Sequence, residues 1–278
     1  MTLPTIAILG AGSMGRAILS GLVKPSVNVG GTIRVTNRSA ARAAELASLA
    51  GVVAFSTEED PLANLHAVEG AAIVLVAVKP AMVPALLTEV ADALEPGAIV
   101  VSVAAGVTIA TFEEVLPASV SVVRSMPNTP AVVGRAVTGI SAGSRSSAAD
   151  VATVRALFET VGDVLEVPED QLDALSTISG SGPAYVFYLI EQLTLAAVDK
   201  GFSVAEASVL VNGTFLGAAE LLVSSGEAPE LLRRRVTSPN GTTERAIAVL
   251  ESADLKSLFD RATDAALARA RELGAAPR

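Results

Sequence analysis

The chain contains no cysteine and no tryptophan, one histidine, and only 3% aromatic residues. Without cysteine there is no disulfide, no thiolate nucleophile and no cysteine-ligated metal, a pattern that fits the cytoplasm. The one histidine, His66 in Asn64-Leu65-His66-Ala67, is too little for a zinc site, so no metal is expected and His66 reads as a surface or packing residue. The shortage of aromatics leaves the core to Ala, Val, Leu and Ile, in a chain of 278 residues that is 51% hydrophobic. Basic residues are also few: 20 Lys and Arg stand against 29 Asp and Glu, for a formal net charge of -9. Neutralising nucleic-acid phosphates takes a basic face, so no nucleic-acid partner is expected. No basic region followed by an apolar segment opens the sequence. The longest uncharged stretches, 96–112 and 174–190, are interrupted by Gly, Pro, Ser or Thr, so neither a targeting segment nor a membrane span is expected.

What is present organises itself around Ile6-Ala7-Ile8-Leu9-Gly10-Ala11-Gly12-Ser13-Met14-Gly15. An apolar strand feeds a tight glycine turn and then a helix with one apolar side, the sequence form of a dinucleotide-binding turn. Gly10 allows the sharp turn, Gly12 the approach of a pyrophosphate, and Gly15 close packing of helix on strand. The helix start at Ser13 and Met14 offers free N–H groups to the anion. A second strand, 32–36, ends on Asn37-Arg38-Ser39. An NAD site usually carries an acid there for the ribose 2′-hydroxyl. Here it is missing, and a guanidinium suits a 2′-phosphate, so NADPH is the expected cofactor, with NADH left open. The plainer reading of Arg38 is a solvated loop arginine.

The unbroken apolar run 71–78 reads as a central parallel strand, ending through Ala77 at Lys79-Pro80. Lys79 is either a cofactor or substrate contact at a strand's carboxyl end, or a charge marking where the strand leaves the core. Further strands are expected at 98–103 and 120–124. The rigid turn Ser125-Met126-Pro127-Asn128-Thr129-Pro130 follows, and Asn128 there either faces a nicotinamide or belongs to an ordinary turn. With strands at 137–142 and 163–167 and helices between, the pattern is a Rossmann-like doubly wound sheet over residues 1–167.

From 168 to 278 only helices are expected: 170–177, 183–200, one capped by Ser203 and running to 224, 230–236, 242–251 and 254–273. Tyr185-Val186-Phe187-Tyr188-Leu189-Ile190 is apolar almost all round, which predicts burial against a second subunit and an obligate dimer. Two stretches rich in Ser, Thr, Gly and Pro, 176–183 and 236–244, read as loops that lead into helices and present N–H groups and hydroxyls to an anion. Taken singly, each is also an ordinary helix entrance.

The chain resembles the pyrroline-5-carboxylate reductases over essentially its whole length. The resemblance rests on GAGSMG at 10–15, the strand end VTNRS at 35–39, AVKP at 77–80, SMPNTP at 125–130, SGSGPAY at 179–185 and TSPNGTTERAIAVLE at 237–251. The family most often has Gly where this chain has Asn240, and Asn tolerates positive φ. The resemblance implies reduction of Δ1-pyrroline-5-carboxylate to L-proline by hydride from NAD(P)H. It implies that Ser238, Gly241 and Thr242 hold the carboxylate and that the Thr243 hydroxyl meets the ring nitrogen. Lys79 and Asn128 would lie on the cofactor side, with Arg38 and Ser39 at the 2′-phosphate. It also implies an interlocked dimer, often assembled into a pentamer of dimers. A cyclic imine is protonated readily, so positioning matters more than a strong acid, in keeping with motifs that contain no histidine or acid–base pair. Two other readings are ranked lower. A β-hydroxyacid dehydrogenase would need a base such as lysine on the helix at 183–199, which has none before Lys200. A non-catalytic NADP-binding regulator would not need the loop around Ser238–Thr243.

Overall fold

The computed structural model describes residues 2–275, with side chains through residue 272. Eight strands form one sheet: β1 Ile6–Leu9, β2 Ile33–Asn37, β3 Val52–Ser56, β4 Ile73–Val76, β5 Ile99–Ser102, β6 Ser121–Met126, β7 Ala136–Ala142 and β8 Gly162–Glu166. Their spatial order is β3-β2-β1-β4-β5-β6-β7-β8. The first six run parallel, and β7 is antiparallel to β6 with β8 parallel to β7. The chain order reverses beside β1, between β2 and β4, which opens a crevice at the carboxyl ends of those strands.

The apolar runs are continuous because both faces of the sheet are covered. Ile6 and Ile8 of β1, with Ile73 and Leu75 of β4, pack on one side against α1 (Ser13–Leu22), α2 (Ala40–Ala47) and α6 (Ala148–Glu159). Ala7, Leu9, Val74 and Val76 alternate to the other side. There they meet α3 (Ala63–Val68), α4 (Val83–Val90) and α5 (Ile109–Val115). Each side has one fully buried phenylalanine, Phe158 and Phe112 respectively, among small aliphatics. Helix α4 is short: 3-10 turns at Pro80–Met82 and Ala91–Ala93 flank it.

After β8 the described residues form only helices: α7 Glu169–Leu175, α8 Gly182–Asp199, α9 Val204–Ser225, α10 Pro229–Arg235, α11 Thr242–Ser252 and α12 Leu255–Ala275. Ser203 caps α9 as expected, in a reciprocal pair with Glu206. The stretch 176–183 is not an open loop. A π-helical turn, Ser176–Gly180, joins α7 to α8, closed by the Ser181 N–H on the Ser176 carbonyl at 2.8 Å. Its hydroxyls fold back: Ser176 onto Asp173 O (2.7 Å), Thr177 onto Ala174 O (2.8 Å) and Ser179 onto Leu175 O (3.2 Å). Local side-chain bonds therefore absorb the polarity that suggested a loop.

The chain divides into two compact units, one reaching to Ser181 and including the end of α12 from Ala266, the other Gly182–Ala265. In the second unit no residue of α8 is buried, and only Ala207 and Val211 of α9 are. Phe187, Tyr188, Val209, Leu216 and Val223 are all more than 60% exposed. Helix α9, at 22 residues, is long and apolar enough to cross a membrane by length and composition alone, and it carries Glu206 and Glu220. An apolar surface of this extent marks an interface.

Candidate functional site

The glycine turn has the geometry its sequence demands. Gly10 adopts φ +85°, and a Cβ there would lie 2.6 Å from Val78 Cγ1. At Gly15 a Cβ would lie 3.0 Å from the Gly10 carbonyl oxygen and 3.3 Å from Ile8 Cγ2, a tight fit that glycine relieves where helix meets strand. Gly12 differs: its nearest foreign atom is 4.0 Å away, and the Cβ position opens on free space. Gly12 is the N-cap of α1 with no side-chain cap, and the first intrahelical bond is Arg16 N–H to Gly12 O at 2.9 Å. The N–H groups of Ser13, Met14 and Gly15 thus precede the helical ladder. Open space at Gly12 and donors behind it fit a pyrophosphate.

At the end of β2 the three polar residues do different things. Asn37 is buried; its amide donates to the Ala11 carbonyl at 2.8 Å and its Oδ1 accepts from Ser39 N–H at 3.1 Å. It therefore ties the glycine loop to the strand end. The Arg38 side chain is 86% exposed and lies 3.8 Å from Glu58. Ser39 is the N-cap of α2 and makes no cap hydrogen bond. An open cavity of about 660 Å³ runs along α1 and α2, lined by Gly12 and Ser13 at the turn, Arg16 and Ser20 of α1, Arg42 and Glu45 of α2, and Val132. Arg16 and Glu45 pair through two hydrogen bonds of 3.0 and 2.5 Å. Those bonds, and then the Arg16 charge, hold the Glu45 carboxyl below the usual carboxylate range.

A second cavity, about 230 Å³, lies at the carboxyl ends of β4, β5 and β6 and is lined by Pro80, Ala105, Gly106, Arg124, Met126 and Asp173 among others. Ala77 and Lys79 lie just beyond β4; the Ala77 N–H continues the ladder to Leu9 O at 2.8 Å, and Lys79 is exposed. Arg124, only 7% exposed, bonds Glu169 at 3.1 Å and Asp173 at 2.9 Å, and Glu169 also accepts from the Ile109 N–H at 2.8 Å. Asn128 is buried and works inside the protein. Its amide donates to Ser179 O at 2.9 Å and its Oδ1 accepts from Val137 N–H at 2.8 Å, so it holds the turn between β6 and β7 against the π turn. Sequence reasoning missed Arg124 and Arg42. The only signal for Arg124 was a charge at a strand end, and its partners come more than forty residues later.

In the second unit, Ser238, Gly241, Thr242 and Thr243 gather at the start of α11. Asn240 takes φ +59°, the left-handed conformation that asparagine tolerates. Its N–H donates to Glu244 at 2.9 Å, and Gly241 N–H donates to Ser238 O at 3.0 Å. Gly241 is the N-cap of α11 and makes no side-chain cap. The side chains of Ser238, Thr242 and Thr243 make no hydrogen bond among the described residues. Unlike the hydroxyls at 176–179, these three are not spent on the fold. The ends of β1, β2, β4 and β6 thus gather one set of predicted residues, and the start of α11 the other.

Residues 169–273 match the family model described as pyrroline-5-carboxylate reductase dimerisation, and residues 5–106 match that described as NADP oxidoreductase coenzyme F420-dependent. A pyrroline-5-carboxylate reductase of Corynebacterium melassecola is 40% identical over 97% of this chain and 98% of its own. One of Pseudomonas aeruginosa is 39% identical over 98% of each chain. Among solved structures, a pyrroline-5-carboxylate reductase of Coxiella burnetii superposes with a TM-score of 0.90 at 37% identity, covering 96% of this chain and 97% of that one. A Plasmodium falciparum pyrroline carboxylate reductase with NADP bound gives a TM-score of 0.81 at 25% identity, covering 98% of each.

Proposed function

The chain belongs to the pyrroline-5-carboxylate reductase family, and from that membership we propose which of its residues perform each part of the reaction. It reduces Δ1-pyrroline-5-carboxylate to L-proline with a nicotinamide cofactor, in proline biosynthesis. The reduced nicotinamide supplies the hydride; every other task falls to the protein.

Gly10, Gly12, Ser13, Met14 and Gly15 hold the pyrophosphate through backbone N–H groups. Arg38 and Ser39 receive the 2′-phosphate, which makes NADPH the preferred cofactor over NADH. Asn37 and Asn128 act by positioning, since their amides are committed to the glycine loop and to the turn after β6. Ala77 and Lys79 border the cofactor at the end of β4. Ser238, Gly241 and Thr242 bind the substrate carboxylate at the positive end of α11. The Thr243 hydroxyl hydrogen-bonds the ring nitrogen and keeps its proton in place while the adjacent carbon accepts the hydride. The observation that carries this reading is the uncapped start of α11 with its three unspent hydroxyls.

Residues 1–167 then serve the cofactor, and 168–278 serve the substrate and the subunit contact. The exposed apolar faces of α8 and α9 are covered by a second copy of the chain, in a homodimer that assembles further as a pentamer of dimers in the cytoplasm. Sedimentation should give no active monomer at micromolar concentration; a folded, active monomer would refute the dimer.

Purified protein given pyrroline-5-carboxylate should consume the reduced-nicotinamide absorbance, faster with NADPH than with NADH. A flat trace with both cofactors would defeat the residue assignment as a whole. Arg38→Asp should lower kcat/KM with NADPH by roughly ten- to a hundredfold and with NADH far less. An equal loss with both cofactors would remove Arg38 from the phosphate.

A further inference from the structure

We propose that Arg42 is a second arm of the 2′-phosphate site, and that the Arg16–Glu45 pair tempers it. This rests on the reading above that Arg38 and Ser39 receive a phosphorylated ribose. Arg42 stands in the first turn of α2, three residues after the N-cap Ser39. It lines the same open cavity as Gly12 and Ser13, the residues that meet the pyrophosphate. Arg42 therefore shares a cavity with the dinucleotide loop and follows the end of β2 by one helical turn.

The charges in that cavity are unequal. Arg16 is occupied by both oxygens of Glu45. Arg42 forms no ion pair among the described residues, although its charge reaches the Glu45 carboxylate. The cavity keeps one uncompensated cation, and it is Arg42. A ribose 2′-phosphate is close to a dianion at neutral pH and has three acceptor oxygens, more than one guanidinium fork satisfies. Arg38, almost wholly exposed and 3.8 Å from Glu58, is a single arm. A second guanidinium based on α2 fixes the phosphate from another side. Glu45 opposes it: its carboxylate lines the same cavity and ties up Arg16, which would otherwise be a third cation.

The test uses 2′,5′-ADP and 5′-AMP as competitive inhibitors against NADPH, because the two differ only in the 2′-phosphate. Arg42→Ala should weaken 2′,5′-ADP about tenfold while 5′-AMP changes less than about twofold, and Arg42→Lys should recover part of the loss. Glu45→Gln should tighten 2′,5′-ADP several-fold by removing a negative charge and releasing Arg16. Equal effects of Arg42→Ala on both inhibitors, or none on either, would overturn the assignment of Arg42; no tightening in Glu45→Gln would overturn the tempering role. Arg38→Ala, run in parallel, separates the two levels. Discrimination lost in Arg38→Ala but intact in Arg42→Ala defeats Arg42 alone. A wild-type protein that binds both inhibitors equally defeats the NADPH reading beneath it.

Discussion

Replacing Thr243 by alanine is expected to lower kcat/KM by roughly ten- to a thousandfold, the scale of a lost positioned donor at a reacting centre. The side chain stands half-buried in the first turn of α11, where its hydroxyl has no protein partner to lose. Removing it therefore costs the fold little, and the melting temperature should stay within a few degrees of wild type. The loss should fall mainly on kcat, because carboxylate binding by Ser238, Gly241 and Thr242 is untouched. Thr243→Ser keeps the hydroxyl and should restore most of the rate, whereas Thr243→Val keeps the shape and should not. Steady-state kinetics on the three variants decide the matter. Near-normal turnover in the alanine or valine variant would strip Thr243 of its role.

Arg124→Ala should destabilise the protein by about 3 kcal/mol, the lower end of the range for breaking a buried ion pair. The guanidinium is 7% exposed, and its loss strands two carboxylates of α7, Glu169 and Asp173, each about a third exposed. That partial exposure lets water answer some of the charge and holds the cost down. Glu169 also accepts the N–H at the start of α5, so the substitution loosens three segments together: the end of β6, the start of α5, and α7. Urea unfolding at one fixed protein concentration measures the loss, since the stability of an oligomer depends on concentration. The triple variant Arg124→Met, Glu169→Gln, Asp173→Asn should recover part of it by removing the stranded charges. A single variant within about 0.5 kcal/mol of wild type would show that the cluster does not support the fold.

Much of the fold was readable from local pattern. Strands buried on both faces appear as unbroken apolar runs, and β1 and β4 were found for that reason. The glycine turn was readable because the backbone at Gly10 takes a positive φ with no room for a Cβ, and Gly15 leaves little room for one. The reversed direction of β7 left no mark in its own residues. The hint lay in the short connection from Met126 to Ala136, below the dozen or so residues that a parallel crossover needs. The π turn was misread because Ser and Thr that bond backward to carbonyls look, in sequence, like Ser and Thr that cap a helix forward. In the candidate site, Arg38 was readable as a proposal from a missing acid, and the α11 loop as one from its family motif. Arg124 and Arg42 were not, because each takes its meaning from residues that only the folded sheet brings beside it.

Asn37 has a consequence for how this enzyme could change its cofactor. The customary switch toward NADH puts a carboxylate at the strand end. Here that position already braces the phosphate loop, through one donor to Ala11 O and one acceptor for Ser39 N–H. Aspartate would keep the acceptor but set a second oxygen against the Ala11 carbonyl, turning a tether into a repulsion. A carboxylate at that position would therefore loosen the glycine turn, and the exposed residues after it can change at less cost to the fold.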